Sequence, residues 1–199
     1  GDSLKKIVVT GSGSNTKFGT LGSTVTSFDA SAATGNITVD LSSAGTLTKV
    51  ATGAGTDTVT YDVAKGSAIA TLSGGAGADT LNLKNSTSAT TQYTMTGFET
   101  LALTSVTGAL TMSNAKSTDL TTVTSDSTTT AAVTLVDMGA GALTVTATGA
   151  TDNGGTISSD HTGSTTVNYV AELGTASVAS DLPAADYVFS KSTGTLTVS

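Results

Sequence analysis

Short apolar segments with an alternating pattern recur along the whole chain of 199 residues, and this recurrence constrains the fold most. Representative segments lie at residues 7–9, 37–41, 59–63, 101–103 and 143–145. Alternation with β-branched residues predicts strands with one buried face. Gly, Ser, Asn and Asp separate the segments, as turns require. Successive segments lie about 10 residues apart and every second one about 20 to 22 apart, which predicts a repeating all-β architecture.

Two all-β architectures fit this spacing. A right-handed parallel β-solenoid would place two short strands in each coil of about 20 residues. An antiparallel β-sandwich would place turns every 8–12 residues or so. We favour the solenoid because the core positions carry Val, Leu, Ile, Ala and Thr, aromatic residues make up 4% of the chain, and Trp is absent. The sandwich stays open as the alternative, especially for the second half of the chain.

We divide the chain at residue 112, because the family resemblance described below extends to about that residue. Residues 1–112 are predicted to form a solenoid. Residues 113–199 are predicted either to continue it or to form a second β domain. A short helical turn is expected, if anywhere, near residues 182–186, after Pro183. Both ends look cut, so we expect the sequence to be a piece of a longer polypeptide.

Composition excludes several classes of function. The absence of Cys excludes a disulfide framework, a thiolate zinc site and a cysteine nucleophile. A net charge of −7 with eight Lys and no Arg argues against a nucleic-acid partner. No segment approaches the roughly 20 apolar residues of a membrane span, so we expect no membrane insertion.

Two glycine-rich segments carry the strongest chemical signal. Residues 53–59 read G-A-G-T-D-T-V, and residues 74–82 read G-G-A-G-A-D-T-L-N. The second matches the calcium-binding repeat G-G-x-G-x-D-x-U-x, whereas the first has Thr52 in place of the leading Gly. Calcium takes six to eight or so oxygen ligands, which sharply turned glycine carbonyls and an Asp carboxylate can supply. Asp57 and Asp79 are 22 residues apart, about one coil, so they are predicted to stack in adjacent coils.

Signals for catalysis are weak. His161 is the single histidine and lies beside Ser158, Ser159 and Asp160, but no G-x-S-x-G elbow occurs. We therefore predict a surface histidine and no catalytic residues. Asp152 and Asp160, with the glycines at 154 and 155, form a weaker candidate for an ion site.

Four segments together resemble bacterial surface-layer proteins of the RTX type. They are K-I-V-V-T-G at residues 6–11, V-T-S-F-D-A-S at 25–31, S-G-G-A-G-A-D-T-L at 73–81 and G-F-E-T-L at 97–101. The resemblance implies a calcium-dependent β-solenoid, type I secretion and self-assembly into a lattice on the cell surface. It implies Ca²⁺ ligands from the carboxylates of Asp57 and Asp79. It also implies carbonyl ligands from a set of glycines, namely Gly53, Gly55, Gly74, Gly75 and Gly77.

We therefore expect a non-enzymatic, extracellular structural module that assembles with further copies of itself, with cell-surface polysaccharide bound through another domain. The first alternative is a domain of a large RTX adhesin that binds glycan or a host surface. The second is an ice-binding solenoid. It is suggested by T-x-T triplets at residues 58–60, 144–146 and 195–197, although these are not separated by one constant coil spacing.

Overall fold

The computed structural model describes residues 4–65, 71–87, 89–92, 95–113, 119–126, 129–136, 142–148, 157–159, 165–170, 187–189 and 196–198. These residues contain 21 strands and one turn of 3₁₀ helix, η1 at Val63–Lys65. The strands of the first half are β1 Lys6–Gly11, β2 Asn15–Thr20, β3 Ser27–Ala33, β4 Asn36–Asp40, β5 Lys49–Ala51, β6 Ala54–Gly55, β7 Thr58–Asp62, β8 Thr71–Ser73, β9 Ala76–Gly77, β10 Thr80–Asn85 and β11 Ala89–Gln92. The remaining strands are β12 Met95–Thr96, β13 Thr100–Val106, β14 Leu110–Ser113, β15 Thr122–Ser125, β16 Val133–Val136, β17 Leu143–Thr148, β18 Ile157–Ser159, β19 Thr165–Val170, β20 Tyr187–Phe189 and β21 Leu196–Val198.

The strands stack in parallel into a β-solenoid. The central sheet has nine strands in the order β2-β4-β7-β10-β13-β15-β17-β19-β21. An N-terminal sheet, β1-β3-β5-β8-β12, and a C-terminal sheet, β11-β14-β16-β18-β20, flank it, and β6 pairs with β9. All strand pairings among the described residues are parallel. The predicted all-β parallel solenoid is confirmed, and the antiparallel alternative does not hold for these strands.

The central sheet runs through both halves of the chain. It begins at β2 and continues by parallel pairing from β13 to β15 and on to β21. The sheet that flanks the central sheet is not the same in the two halves: the N-terminal sheet ends at β12, and the C-terminal sheet begins at β11. Residues 182–186, where the sequence predicts a helical turn at most, lie outside the described residues.

Stacked aliphatic side chains fill the interior. Because neighbouring strands lie about 4.8 Å apart in register, each inward side chain packs on the equivalent residue of the next coil. One inward column of the central sheet is fully buried and consists of Val39, Val59, Leu81, Leu101, Val123 and Val145. The inward column of the N-terminal sheet is similar, with Phe28, Val50, Leu72 and Met95. Alternation in the sequence therefore becomes one continuous core.

The outward side of the central sheet carries a column of threonines, which we call the threonine ladder. Its register places one threonine in each of six successive strands: Thr38, Thr58, Thr80, Thr100, Thr122 and Thr144. Thr166 and Thr197 occupy the same register position in β19 and β21. Thr58 and Thr144, the first residues of two T-x-T triplets, thus share one column, although the spacing of the triplets in sequence looks irregular. The number of residues per coil varies between these strands, but the parallel strand pairing keeps the threonines in one column.

The interior column and the outward surface should respond differently to truncation. Leu81→Ala removes a fully buried side chain from the stack and is expected to lower the free energy of unfolding by about 2–5 kcal/mol. Asn82→Ala, on the opposite face of the same strand, should cost less than about 1 kcal/mol. Urea unfolding followed by circular dichroism measures both; equal losses would contradict the assignment of faces.

Candidate functional site

Three acidic residues stack at one corner of successive coils and form what we call the carboxylate ladder: Asp57, Asp79 and Glu99. Each directly precedes a strand of the central sheet, at Thr58, Thr80 and Thr100 respectively. These three threonines are register partners, so the acids before them lie in adjacent coils. The stacking of Asp57 on Asp79 follows the prediction from their 22-residue spacing.

Each carboxylate of the ladder accepts a hydrogen bond from the backbone of the preceding coil. The amide of Ile37 donates to Asp57 Oδ1 at 2.7 Å, and the amide of Asp57 donates to Asp79 Oδ1 at 2.7 Å. The amide of Asp79 donates in turn to Glu99 Oε2 at 2.7 Å. One oxygen of each acid therefore satisfies a backbone donor at the corner where the chain enters the strand.

The second oxygens of the two aspartates lack such partners. Asp57 and Asp79 are 0% and 1% exposed, and Oδ2 of each is buried without a hydrogen-bond partner. Burial, together with the negative charges of Asp57 and Glu99, raises the pKa of Asp79 to about 6, although the hydrogen bond from the Asp57 amide opposes this. The burial of two stacked, charged carboxylates is unfavourable in free energy unless a proton or a cation neutralises them.

The predicted glycines lie beside this ladder, and close contact between coils explains their identity. At Gly53 an added Cβ atom would lie 2.0 Å from the carbonyl oxygen of Ala33, and at Gly75 it would lie 2.0 Å from that of Gly53. At Gly74 the nearest atom would be the carbonyl oxygen of Gly97, at 1.9 Å. A side chain at any of these positions would push neighbouring coils apart.

Gly55 and Gly77 have an additional backbone requirement. They pair in the short sheet of β6 and β9, with φ angles of 131° and 140° that favour glycine. A Cβ on Gly77 would lie 1.6 Å from the carbonyl oxygen of Gly55.

Two carbonyls among the predicted calcium ligands already accept hydrogen bonds between coils. The Gly53 carbonyl accepts from the amide of Ala76 at 2.8 Å. The Gly74 carbonyl accepts from the hydroxyl of Thr52 at 2.5 Å. Thr52 stands in place of the leading Gly of the first motif. It is buried, and its hydrogen bond to Gly74 links its coil to the next. The buried side-chain acceptors without a hydrogen-bond partner at this corner are Oδ2 of Asp57 and Oδ2 of Asp79.

Sequence reasoning missed Glu99 as a member of the site. The signal was present, because an acid followed by Thr and an apolar residue occurs at 57–59, 79–81 and 99–101. Glu99 was passed over because no glycine repeat of the calcium type precedes it. A further acid, Asp119, accepts a hydrogen bond from the Gly97 amide at 2.8 Å.

The other candidates from the sequence have no described surroundings. Asp152, Asp160 and His161 lie outside the described residues, as do the glycines at 154 and 155. Within the described part of the chain, no group of three or more His, Cys, Asp or Glu residues has the arrangement of a metal site. The same part contains no helix long and apolar enough to cross a membrane.

Comparison with models of protein families, with curated proteins and with solved structures gives no significant match for this chain.

The carboxylate ladder should make stability depend on pH without added cations. Because the folded pKa of Asp79, about 6, lies above its ordinary value of 3.8, the folded state binds the proton more tightly. The free energy of unfolding should therefore fall as pH rises from about 4 to 6, by up to about 3 kcal/mol. Urea titrations between pH 4 and 8 measure this fall.

Two isosteric variants test that assignment. Asp79→Asn keeps an oxygen for the Asp57 amide and removes a charge, so it should abolish the fall between pH 4 and 6. Asp29→Asn is the control, because hydrogen bonds from Lys49 and Ser31 lower the pKa of Asp29 to about 2. Its stabilising effect is lost only as pH falls below about 4. An unchanged fall in Asp79→Asn would refute the assignment.

The glycine contacts predict a steric effect that is independent of any ion. Gly77→Ala introduces a Cβ that overlaps the Gly55 carbonyl at a left-handed φ, so it should lower the melting temperature equally in calcium and in chelator. Gly22→Ala is the matched control, since nothing lies within 4 Å of its added Cβ. A loss at Gly77 that appears in calcium alone would instead point to a ligand role.

Proposed function

We propose that this chain is a non-enzymatic structural module of a secreted bacterial surface protein of the surface-layer type, stabilised by calcium at the carboxylate ladder. The proposal rests on Oδ2 of Asp57 and Oδ2 of Asp79. These two carboxylate oxygens belong to adjacent coils, are buried and have no hydrogen-bond partner. The regular stack of coils is compatible with a structural role, and the sequence resemblance suggests the surface-layer context.

The chemistry of the orphaned oxygens fits calcium. Calcium prefers oxygen ligands, carboxylates above all, and tolerates irregular coordination. Asp57 and Asp79 would hold the ion, with Glu99 one coil further on. A bound cation removes the repulsion between stacked carboxylates and the cost of their burial. Its effect would be to fasten adjacent coils at a corner where the backbone depends on side-chain acceptors.

Such a site couples folding to the calcium concentration around the protein. Calcium sites of extracellular modules bind at about 10⁻⁴–10⁻³ M, because calcium is abundant outside cells. A chain without calcium would keep the buried charges unneutralised and would be less stable during export. Binding outside the cell would then stabilise the folded stack, which agrees with type I secretion as an expectation from the resemblance.

A calcium titration of stability tests this proposal. With calcium about 10 to 100 times above the dissociation constant, the free energy of unfolding should rise by about 1–3 kcal/mol relative to chelator. Thermal melts at pH 7.5 in calcium, magnesium and chelator measure the effect, with calcium expected to exceed magnesium. Identical melting temperatures in calcium and chelator would overturn the calcium part of the proposal.

Matched variants localise the effect. Asp57→Asn and Asp79→Asn each remove one charge from the ladder and should reduce or abolish the calcium increment. Asp62→Asn is the control, since Asp62 lies on the outward side of β7 and accepts a hydrogen bond from the Ala64 amide at 2.9 Å. Asp152→Asn serves as a second control for the weaker acidic segment. An equal loss in all four variants would show that calcium acts through general charge screening.

Assembly is tested separately from calcium binding. Electron microscopy of the purified chain with and without calcium should show calcium-dependent sheets or lattices if the chain carries the assembly contacts. Glycan binding without assembly would instead favour the adhesin alternative.

A further inference from the structure

The outward surface of the central sheet is a regular polar array that the proposed structural role does not require. The threonine ladder supplies one column, and a second column lies two residues further along each strand. The described members of the second column from β7 onward are Thr60, Asn82, Ala102, Thr124 and Thr146. Rows of the form T-x-T occur at 58–60, 122–124 and 144–146, all on one face.

The parallel register gives this array a two-dimensional repeat. Neighbouring rows are about 4.8 Å apart along the solenoid, and the two columns are about 6.6 Å apart along the strand, since each strand residue advances about 3.3 Å. Thr58, Thr80 and Thr100 are partly exposed, as are Thr122 and Thr144. β-branching restricts their χ1 angles, so hydroxyl and methyl groups repeat with little freedom.

The array is also free of charge from β7 to β17. Between rows 58–60 and 144–146, neither column contains an acidic or basic residue, although the whole chain carries −7. Charged residues border the array: Asp40 is the register partner of Thr60 in the second column, Lys17 is that of Thr38 in the first, and Asp62 pairs with Lys84 in the next outward column. The uncharged strip is therefore two columns wide and five rows long in the described residues.

From this geometry we propose that the two columns bind the surface of ice. A crystal face of ice presents oxygen atoms at repeats close to both spacings of the array, so many hydroxyls can take lattice positions at once. The methyl groups between them order the intervening water as a continuation of the crystal. Rigid side chains limit the entropy lost on binding, and an uncharged strip avoids the strongly held hydration shells of charged groups.

The experiment measures partition of the labelled chain into slowly growing ice, together with thermal hysteresis, in calcium-containing buffer. The unaltered chain should enter the ice and show hysteresis. Thr122→Lys places a long cation in the middle of the ladder, between Thr100 and Thr144, and should lose most of both activities. Thr124→Lys makes the same change in the second column and should lose them as well.

Thr71→Lys is the matched control. Thr71 is exposed on the N-terminal sheet and is the register partner of Lys49, so a lysine fits there without touching the array. Circular dichroism melts establish that every variant is folded. Exclusion of the unaltered chain from ice, or an equal loss in Thr71→Lys, would overturn the proposal. Neither result bears on calcium, because the carboxylate ladder is inward-facing and the melts measure it separately.

Discussion

Backbone hydrogen bonding between parallel coils in register is the constraint on which every other feature depends. Each residue of a strand is placed beside its equivalent in the coils before and after it. A residue type that suits one position is therefore repeated along the axis. Leu and Val form the inward column of the central sheet, Thr the outward column, and Gly the tight corners, because each environment recurs with every coil.

The same constraint also produces an electrostatic conflict. Equivalent corners bring Asp57, Asp79 and Glu99 together, and burial with the neighbouring negative charges raises the pKa of Asp79. The acids nevertheless stabilise the corner, because one oxygen of each accepts a hydrogen bond from a backbone amide that strand pairing leaves available there. A substitution that removes a carboxylate charge but keeps the accepting oxygen would relieve the repulsion between the acids. A bound cation would relieve it as well, and this is the physical reason for proposing calcium.

The glycines show how one sequence pattern serves two physical demands. The repeat G-G-x-G-x-D predicts carbonyl ligands for an ion, and in the fold its glycines permit close approach of adjacent coils. The Gly53 and Gly74 carbonyls accept hydrogen bonds between coils, whereas the buried Oδ2 atoms of Asp57 and Asp79 have no hydrogen-bond partner. The two roles are compatible, because a carbonyl oxygen has two lone pairs.

Periodicity predicted a repeating all-β fold and the stacking of Asp57 on Asp79, and the small core residues favoured the solenoid over the sandwich. A two-residue period defines the buried face, and a coil-length period defines which residues repeat. Glu99 was not recognised, because its motif lacks the glycines that drew attention to the two aspartates. The alignment of the threonine triplets was also hidden, since coil lengths of 20 and 22 residues obscure a column that strand pairing restores.

The sequence by itself thus determined the type of element, the buried face and the approximate coil. Tertiary structure decided the register, and with it which side chains meet. Register depends on where each coil places its extra residues, and this is set by contacts between coils that lie far apart in sequence. For that reason the second oxygens of Asp57 and Asp79 and the continuity of the threonine ladder became visible only in the folded chain.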